Sequence, residues 1–204
     1  MNFSNIWTRL LFLVLLALVT SCASTQLTNT WKDPGQNKKV SKIMVLGISS
    51  NASVKRNYED TLAKHLKAQG VQAVAATTIL SPEDEDDKVK IKALLEEKGF
   101  DSILVTRVIS KEREQRYVPG SPYAGSYGYY NGFGSYYDRA YPVAHSPGYL
   151  VNDTIVVLET NVYETKDAKL IWAVTSETFN PDNIAKEIEN LSKLLISQLK
   201  KDNV

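Results

Sequence analysis

Ile43-Met44-Val45-Leu46-Gly47-Ile48 is a continuous apolar run, the pattern of a strand covered on both faces in a parallel sheet. The next stretch of chain supplies the crossover such a sheet needs. Ser50, Asn51 and Ser53 are candidate helix caps, Val54, Tyr58, Leu62 and Leu66 recur every four residues, and Gly70 stops the helix. Val71 to Ala76 reads as a short second strand. Ser81-Pro82 offers a cap and a first-turn proline, the acids Glu83 to Asp87 suit the positive end of a helix, and Ile91, Leu94 and Leu95 form its stripe before Gly99. A third strand lies within Asp101 to Ile109.

This β-α-β-α-β order builds a parallel or mixed sheet flanked by helices. Downstream, Thr154 to Tyr163 and Lys169 to Glu177 alternate as the strands of a hairpin around Glu164 to Ala168. Asn180-Pro181-Asp182 opens a last helix with Ile184, Ile188, Leu191, Leu195 and Leu199 on one face. The expected fold is a single α/β domain over residues 31–204. It has one mixed sheet of about five strands, ordered β-α-β-α-β-loop-β-β-α, with helices packed on it.

Composition narrows the chemistry. The 204 residues carry a formal net charge of +1, which gives no electrostatic footprint for neutralising phosphates, so nucleic acid is not an expected partner. One cysteine excludes intrachain disulfides and multi-cysteine metal sites, and two histidines supply little acid-base chemistry. The chain holds no P-loop, no Gly-x-Gly-x-x-Gly after a strand and no His-Glu-x-x-His, and Glu83 to Asp87 lacks the alternating ligands and central glycine of a calcium loop. Neither cofactor nor metal is expected.

Upstream of the domain, Leu10 to Val19 form an apolar run behind Arg9. It is too short for a membrane span, which takes ~20 apolar residues, and suits the core of a secretory signal. Val19-Thr20-Ser21-Cys22 then resembles the bacterial lipobox. The alternative is a plain signal peptide that leaves Cys22 free or buried. The resemblance implies a signal peptide at 1–21, a diacylglycerol thioether on Cys22, a palmitate-type acyl group on its amino nitrogen, and a lipidated tether over 22–30. Several acyl chains anchor a protein almost irreversibly. Ala23 stands where an aspartate would resemble an inner-membrane retention signal, so the outer membrane, facing the periplasm, is implied, with the inner membrane as alternative. Without residues 1–21 the chain holds 23 cations and 23 anions.

Thr30-Trp31-Lys32-Asp33, Val45-Leu46-Gly47, Arg56 with Glu59-Asp60, and Asp153-Thr154 leading to Leu158-Glu159-Thr160 run in order along the mature chain. In these motifs it resembles a family of bacterial lipoproteins known only as a domain of unknown function. The architecture is also similar to small α/β domains of periplasmic assembly lipoproteins, a fold-level likeness that transfers no function. The family implies no catalytic residues.

Residues 117–149 hold nine of the eleven tyrosines, six of the ten glycines and four of the seven prolines. Such a long insertion is expected to be irregular, and either functional or solvated. Tyr123, Tyr127, Tyr129, Tyr130, Tyr136 and Tyr137 offer flat apolar area with a hydroxyl, suited to protein contacts or to stacking on sugars. Among other candidates, His65 flanks the first helix's stripe as a packing residue, and His145 beside Asp138 and Ser146 permits a hydrolase only on paper, without a nucleophile elbow. Arg107 shares a strand face with Ile103 and Val105, so a cation at or near the core is expected to require a carboxylate, with Glu159 the candidate for a structural ion pair. The expected role is non-enzymatic: a lipid-anchored interaction or assembly component with an envelope protein as partner. The alternatives are a peptidoglycan-binding module or, behind it, a hydrolase.

Overall fold

The computed structural model describes residues 24–118, 132–145 and 148–204. Six strands lie within them: β1 (Thr25–Lys32), β2 (Lys42–Ile48), β3 (Gln72–Ala75), β4 (Ser102–Val118), β5 (Tyr149–Glu164) and β6 (Leu170–Phe179). The α-helices among the described residues are α1 (Ala52–Lys67), α2 (Lys88–Glu97), α3 (Phe133–Ala144) and α4 (Ile184–Lys201). All six strands form one mixed sheet in the order β1-β6-β5-β4-β2-β3. β2 runs parallel to β3 and β4, and the β4–β5, β5–β6 and β6–β1 pairs are antiparallel.

The apolar pattern of β2 is explained by two cores. On one face Ile43 and Val45 join Leu62 and Leu66 of α1, Leu195 and Leu199 of α4, and Leu104, Val162 and Trp172 of the sheet. On the other, Met44 and Leu46 pack with Leu95 of α2 and with Phe100. The buried Trp172 indole donates to Asp202 at 2.8 Å, fixing the end of α4 against the sheet.

Local chemistry sets the helix ends. Asn51 caps α1 by accepting from the Val54 N–H at 3.0 Å, and Gly70 follows it at φ +85°. Asn183, rather than Asn180, caps α4 by accepting from Lys186 N–H at 3.1 Å. Ser81-Pro82 starts only a 3-10 turn, Pro82–Asp84; the cap of α2 is Asp87, which accepts from Val89 and Lys90 N–H groups. The acidic run therefore precedes its helix, with Asp87 alone at the cap.

Three expectations are corrected. The sheet has six strands, because Thr25–Lys32 pairs with β6, so most of the supposed 22–30 tether is an edge strand and the domain begins at Thr25 rather than residue 31. The charged stretch after Ile109 does not end the third strand: β4 continues to Val118 and pairs with β5 residue for residue from Ser110↔Val157 to Val118↔Tyr149. Finally, the 117–149 insertion is not irregular throughout, since both its ends are strand and Phe133–Ala144 is helix.

Candidate functional site

Strand register places several features at one end of the sheet. Thr25 stands opposite Thr178, Thr178 opposite Val156, and Val156 opposite Lys111. One position further on, past Glu112 and Ile155, neither β2 nor β6 flanks the β4–β5 pair, since β2 ends opposite Arg107 and β6 opposite Ile155. Arg113–Val118 and Tyr149–Thr154 thus form a two-stranded arm, roughly 20 Å long at ~3.4 Å per residue. Its far part exposes Tyr117, Tyr149 and Leu150, each more than 60% accessible. At its base Asp153 is fixed by Arg116 Nε at 3.2 Å and Asn180 Nδ2 at 2.9 Å. Those contacts, the Asn180 hydrogen bond first, hold its carboxyl below the usual carboxylate range.

β2 ends here while its parallel neighbour β4 runs on into the arm, and α1 and α4 begin here. Between them lies a cleft of about 350 Å³ lined by Ile48, Val54, Val108, Val156, Leu158, Ile184 and Leu191, with Lys55, Tyr58, Thr106, Thr178 and Glu187 among its polar members. The buried polar groups are mutually engaged, while Arg107 and Lys111 line the exposed rim. The Tyr58 hydroxyl lies 2.5 Å from Thr106 Oγ1, which lies 2.9 Å from Thr160 Oγ1. Burial pushes the Tyr58 phenol well above its ordinary range, keeping it neutral and available as a donor. Lys55 is paired with Glu85. The fully buried Glu59 accepts from the backbone N–H of Gly47 at 2.9 Å and of Thr77 at 2.8 Å, tying α1 to the ends of β2 and β3 beside the cleft. No sequence motif marked this cleft. Its signal was a buried tyrosine and glutamate adjacent on a helix that crosses between parallel strands.

The chain enters at the same end. Ser24 and Thr25 hydroxyls donate to Glu187 at 2.7 and 2.8 Å, and Thr25 Oγ1 lies 3.0 Å from Thr178 Oγ1. Although burial alone would raise it, these hydroxyl donors hold the Glu187 carboxyl below its usual range. Cys22, the expected lipidation site, lies outside the described residues, as do Tyr123, Tyr127, Tyr129 and Tyr130.

Tyr136 and Tyr137 lie on α3 and are exposed. Phe133, Tyr137, Tyr141 and His145 recur every four residues along one side of it, with successive ring centroids 5.6, 5.4 and 3.9 Å apart, the first two pairs tilted and the last stacked. His145 Nδ1 sits 2.9 Å from the Tyr141 carbonyl, and no hydrogen bond joins it to Asp138 among the described residues; Ser146 lies outside them. His65 meets Glu189 at 3.1 Å across α1 and α4. Arg107 and Glu159 stand opposite each other in the β4–β5 register, with both Arg107 Nε and a terminal guanidinium nitrogen 2.9 Å from Glu159 Oε2. The expected burial of this cation is corrected: Arg107 is 54% exposed, because it lies one step past Val105, the last strand residue that packs in the core beneath α2. No group of three His, Cys, Asp or Glu side chains arranged for a metal occurs among the described residues.

No family model matches the chain, and no curated protein matches it. Among solved structures it is similar to a PelC variant dodecamer from Paraburkholderia phytofirmans, with 12% identity, a TM-score of 0.47, and 83% of this chain and 96% of that one covered. It is also similar to lipoprotein GNA1162 from Neisseria meningitidis, with 12% identity, a TM-score of 0.43, and 79% and 99% covered. A PDZ domain protein from Parabacteroides distasonis has 10% identity and a TM-score of 0.39 over 86% of this chain and 36% of that one. These likenesses are distant, and function has to be argued from the chain's own geometry. The described residues form one mixed α/β sheet, and none of their helices is long and apolar enough to cross a membrane.

Proposed function

We propose that the chain is a lipid-anchored, non-enzymatic component of a bacterial cell envelope, held through Cys22 at the periplasmic face of the outer membrane. There the β4–β5 arm and the Tyr/Gly segment it carries contact an envelope protein. The observation that carries this reading is the common end: the chain enters the sheet at Thr25, level with the base of the arm. Three residues from Cys22 to Thr25 reach at most ~10 Å. An arm of roughly 20 Å springing from the same end therefore works beside the membrane and not out in the periplasm.

A photo-cross-linking residue placed at Leu150 on the arm, and separately at Gln69 at the opposite end of α1, tests it in living cells. Protein adducts at 150 that are missing at 69 support the reading; equal adducts, or none at 150, overturn it. Membrane fractionation with an intact-mass measurement checks the anchor. The exposed ring stripe of Phe133, Tyr137 and Tyr141 favours peptidoglycan as a second reading, because rings presented on one face suit sugar stacking. In that case Tyr137→Ala with Tyr141→Ala abolishes co-sedimentation with isolated peptidoglycan.

A further inference from the structure

We infer that the apolar cleft at the anchor end is an acyl-chain site, and that its occupant is one of the fatty-acyl chains carried by Cys22 of the same molecule. This rests on the proposed lipidation and adds a destination for part of the lipid.

The first support is the lining. Ile48, Val108 and Ile184 at the rim are 56%, 51% and 56% exposed, while Val156, Leu158 and Leu191 line the space between them. Apolar side chains gathered around a concavity are the usual sign of an apolar ligand. The second is the state of the polar groups. Tyr58, Thr106 and Thr160 satisfy one another, Thr25 and Thr178 do the same, and Lys55 is held by Glu85. Among the described residues no buried side-chain donor in the lining lacks a partner, and the cations Arg107 and Lys111 reach the cleft only from its exposed rim, so the ligand that fits its interior is aliphatic.

The third is reach. Glu187 and Thr178 both line the cleft, and both hydrogen-bond the first residues of the described chain, Ser24 and Thr25. Cys22 stands two residues before Ser24, so its α-carbon lies within about 7 Å of that of Ser24. An acyl chain on its sulfur or nitrogen begins at the cleft rim. About 350 Å³ is at the small end of ligand pockets, roughly 300–1,000 Å³, and suits one chain rather than the several such a cysteine carries. The remaining chains stay in the bilayer, where two suffice for a stable anchor.

Two experiments test this. In the first, the mature chain with Cys22→Ser, exported without lipid, is titrated with a dansyl-labelled undecanoic acid. Saturable binding is expected, weakened more than tenfold by Val108→Glu or Ile184→Glu; both positions are exposed, and unchanged circular dichroism verifies the fold. Absence of saturable binding overturns the site. In the second, a photo-cross-linking residue replaces Ile184 in the lipidated protein in native membranes, and the digest is analysed by mass spectrometry. An adduct between that peptide and an acyl chain on Cys22, at monomer mass, is expected. An adduct with a free fatty acid or phospholipid, or none, overturns occupancy in cis. An intact mass without acyl groups overturns occupancy in cis and the anchor together, whereas a lipidated mass without the internal adduct overturns only the former.

Discussion

Replacing Glu59 by glutamine changes almost no volume but alters the hydrogen-bond arithmetic at a fully buried position. The carboxylate accepts from two backbone donors, Gly47 N–H and Thr77 N–H, through its two oxygens. A glutamine has one acceptor oxygen. Its amide nitrogen must then face the second N–H, donor against donor, which forfeits a charge-assisted bond of about 1.5–3 kcal/mol and leaves the other neutral and weaker by about 1 kcal/mol. Lys55, 4.0 Å from Glu59, keeps its partner Glu85 and adds little to the loss. The expected cost is about 3 kcal/mol, or a fall in Tm of about 6–12 °C for a domain of this size. Urea unfolding followed by the fluorescence of the buried Trp172 reads it directly, with Glu96→Gln as control, an exposed i,i+4 partner of Lys92 whose loss should cost less than about 0.5 kcal/mol. If Glu59→Gln unfolds at the wild-type urea midpoint with an unchanged slope, Glu59 is not what joins α1 to the ends of β2 and β3.

Glu159→Gln should cost less than about 1 kcal/mol in the same assay, because Arg107 is 54% exposed and surface pairs contribute little; a loss beyond about 2 kcal/mol would show that accessibility misjudges this pair. Burial tends to raise the Asp101 carboxyl, but donors from Ser41, Lys42 and Ser102 outweigh it and leave it below its ordinary range. With the folded value depressed, its contribution is complete above the unfolded value of about 3.9 and is lost as pH falls through the folded value. Asp101→Asn should therefore be less stable than wild type at pH 7, and the gap should close below about pH 4 in acid titrations of stability; a constant gap contradicts the linkage. Gly99→Ala should cost about 1 kcal/mol in thermal melts, since φ is +66° although nothing lies within 4 Å of an added β-carbon. Amides of Arg113–Val118 should exchange with deuterium much faster than that of Leu104, because among the described residues no third strand pairs with the arm and no core cluster includes it.

How legible each element is in the chain tracks how much apolar burial it makes. Ile43–Ile48 lies between two cores and shows it as an unbroken apolar run; α1 and α4 bury one face and show it as a stripe. β1 buries only Thr25 fully, and its remaining contribution is backbone pairing to β6, which leaves no hydrophobic period to detect. Its threonines and Trp31 were a faint β-propensity signal. The arm escaped for the same reason: Lys111–Arg116 faces water on both sides and is held as a strand by its ladder with β5. In α3 the four-residue spacing of Phe133, Tyr137, Tyr141 and His145 was present, but Gly134 and Pro142 disguised it, as both disfavour helix interiors. The Arg107–Glu159 pairing was legible from strand alternation, whereas its exposure depended on where α2 stops covering the sheet. The cleft was not legible, since it is formed by six elements, several of them distant in sequence.

The position of β1 constrains the order in which the molecule can be made. Thr25 and its partner Thr178 are 153 residues apart, so the first strand of the domain to be synthesised has nothing to pair with until nearly the last. Joining ends so far apart is slow, and the unpaired edge of β6 is meanwhile open to other chains. Thr25–Lys32 is consequently left without its partner strand until Leu170–Phe179 has been made. Closing β1 onto β6 is then the step that completes the sheet and joins the two ends of the domain.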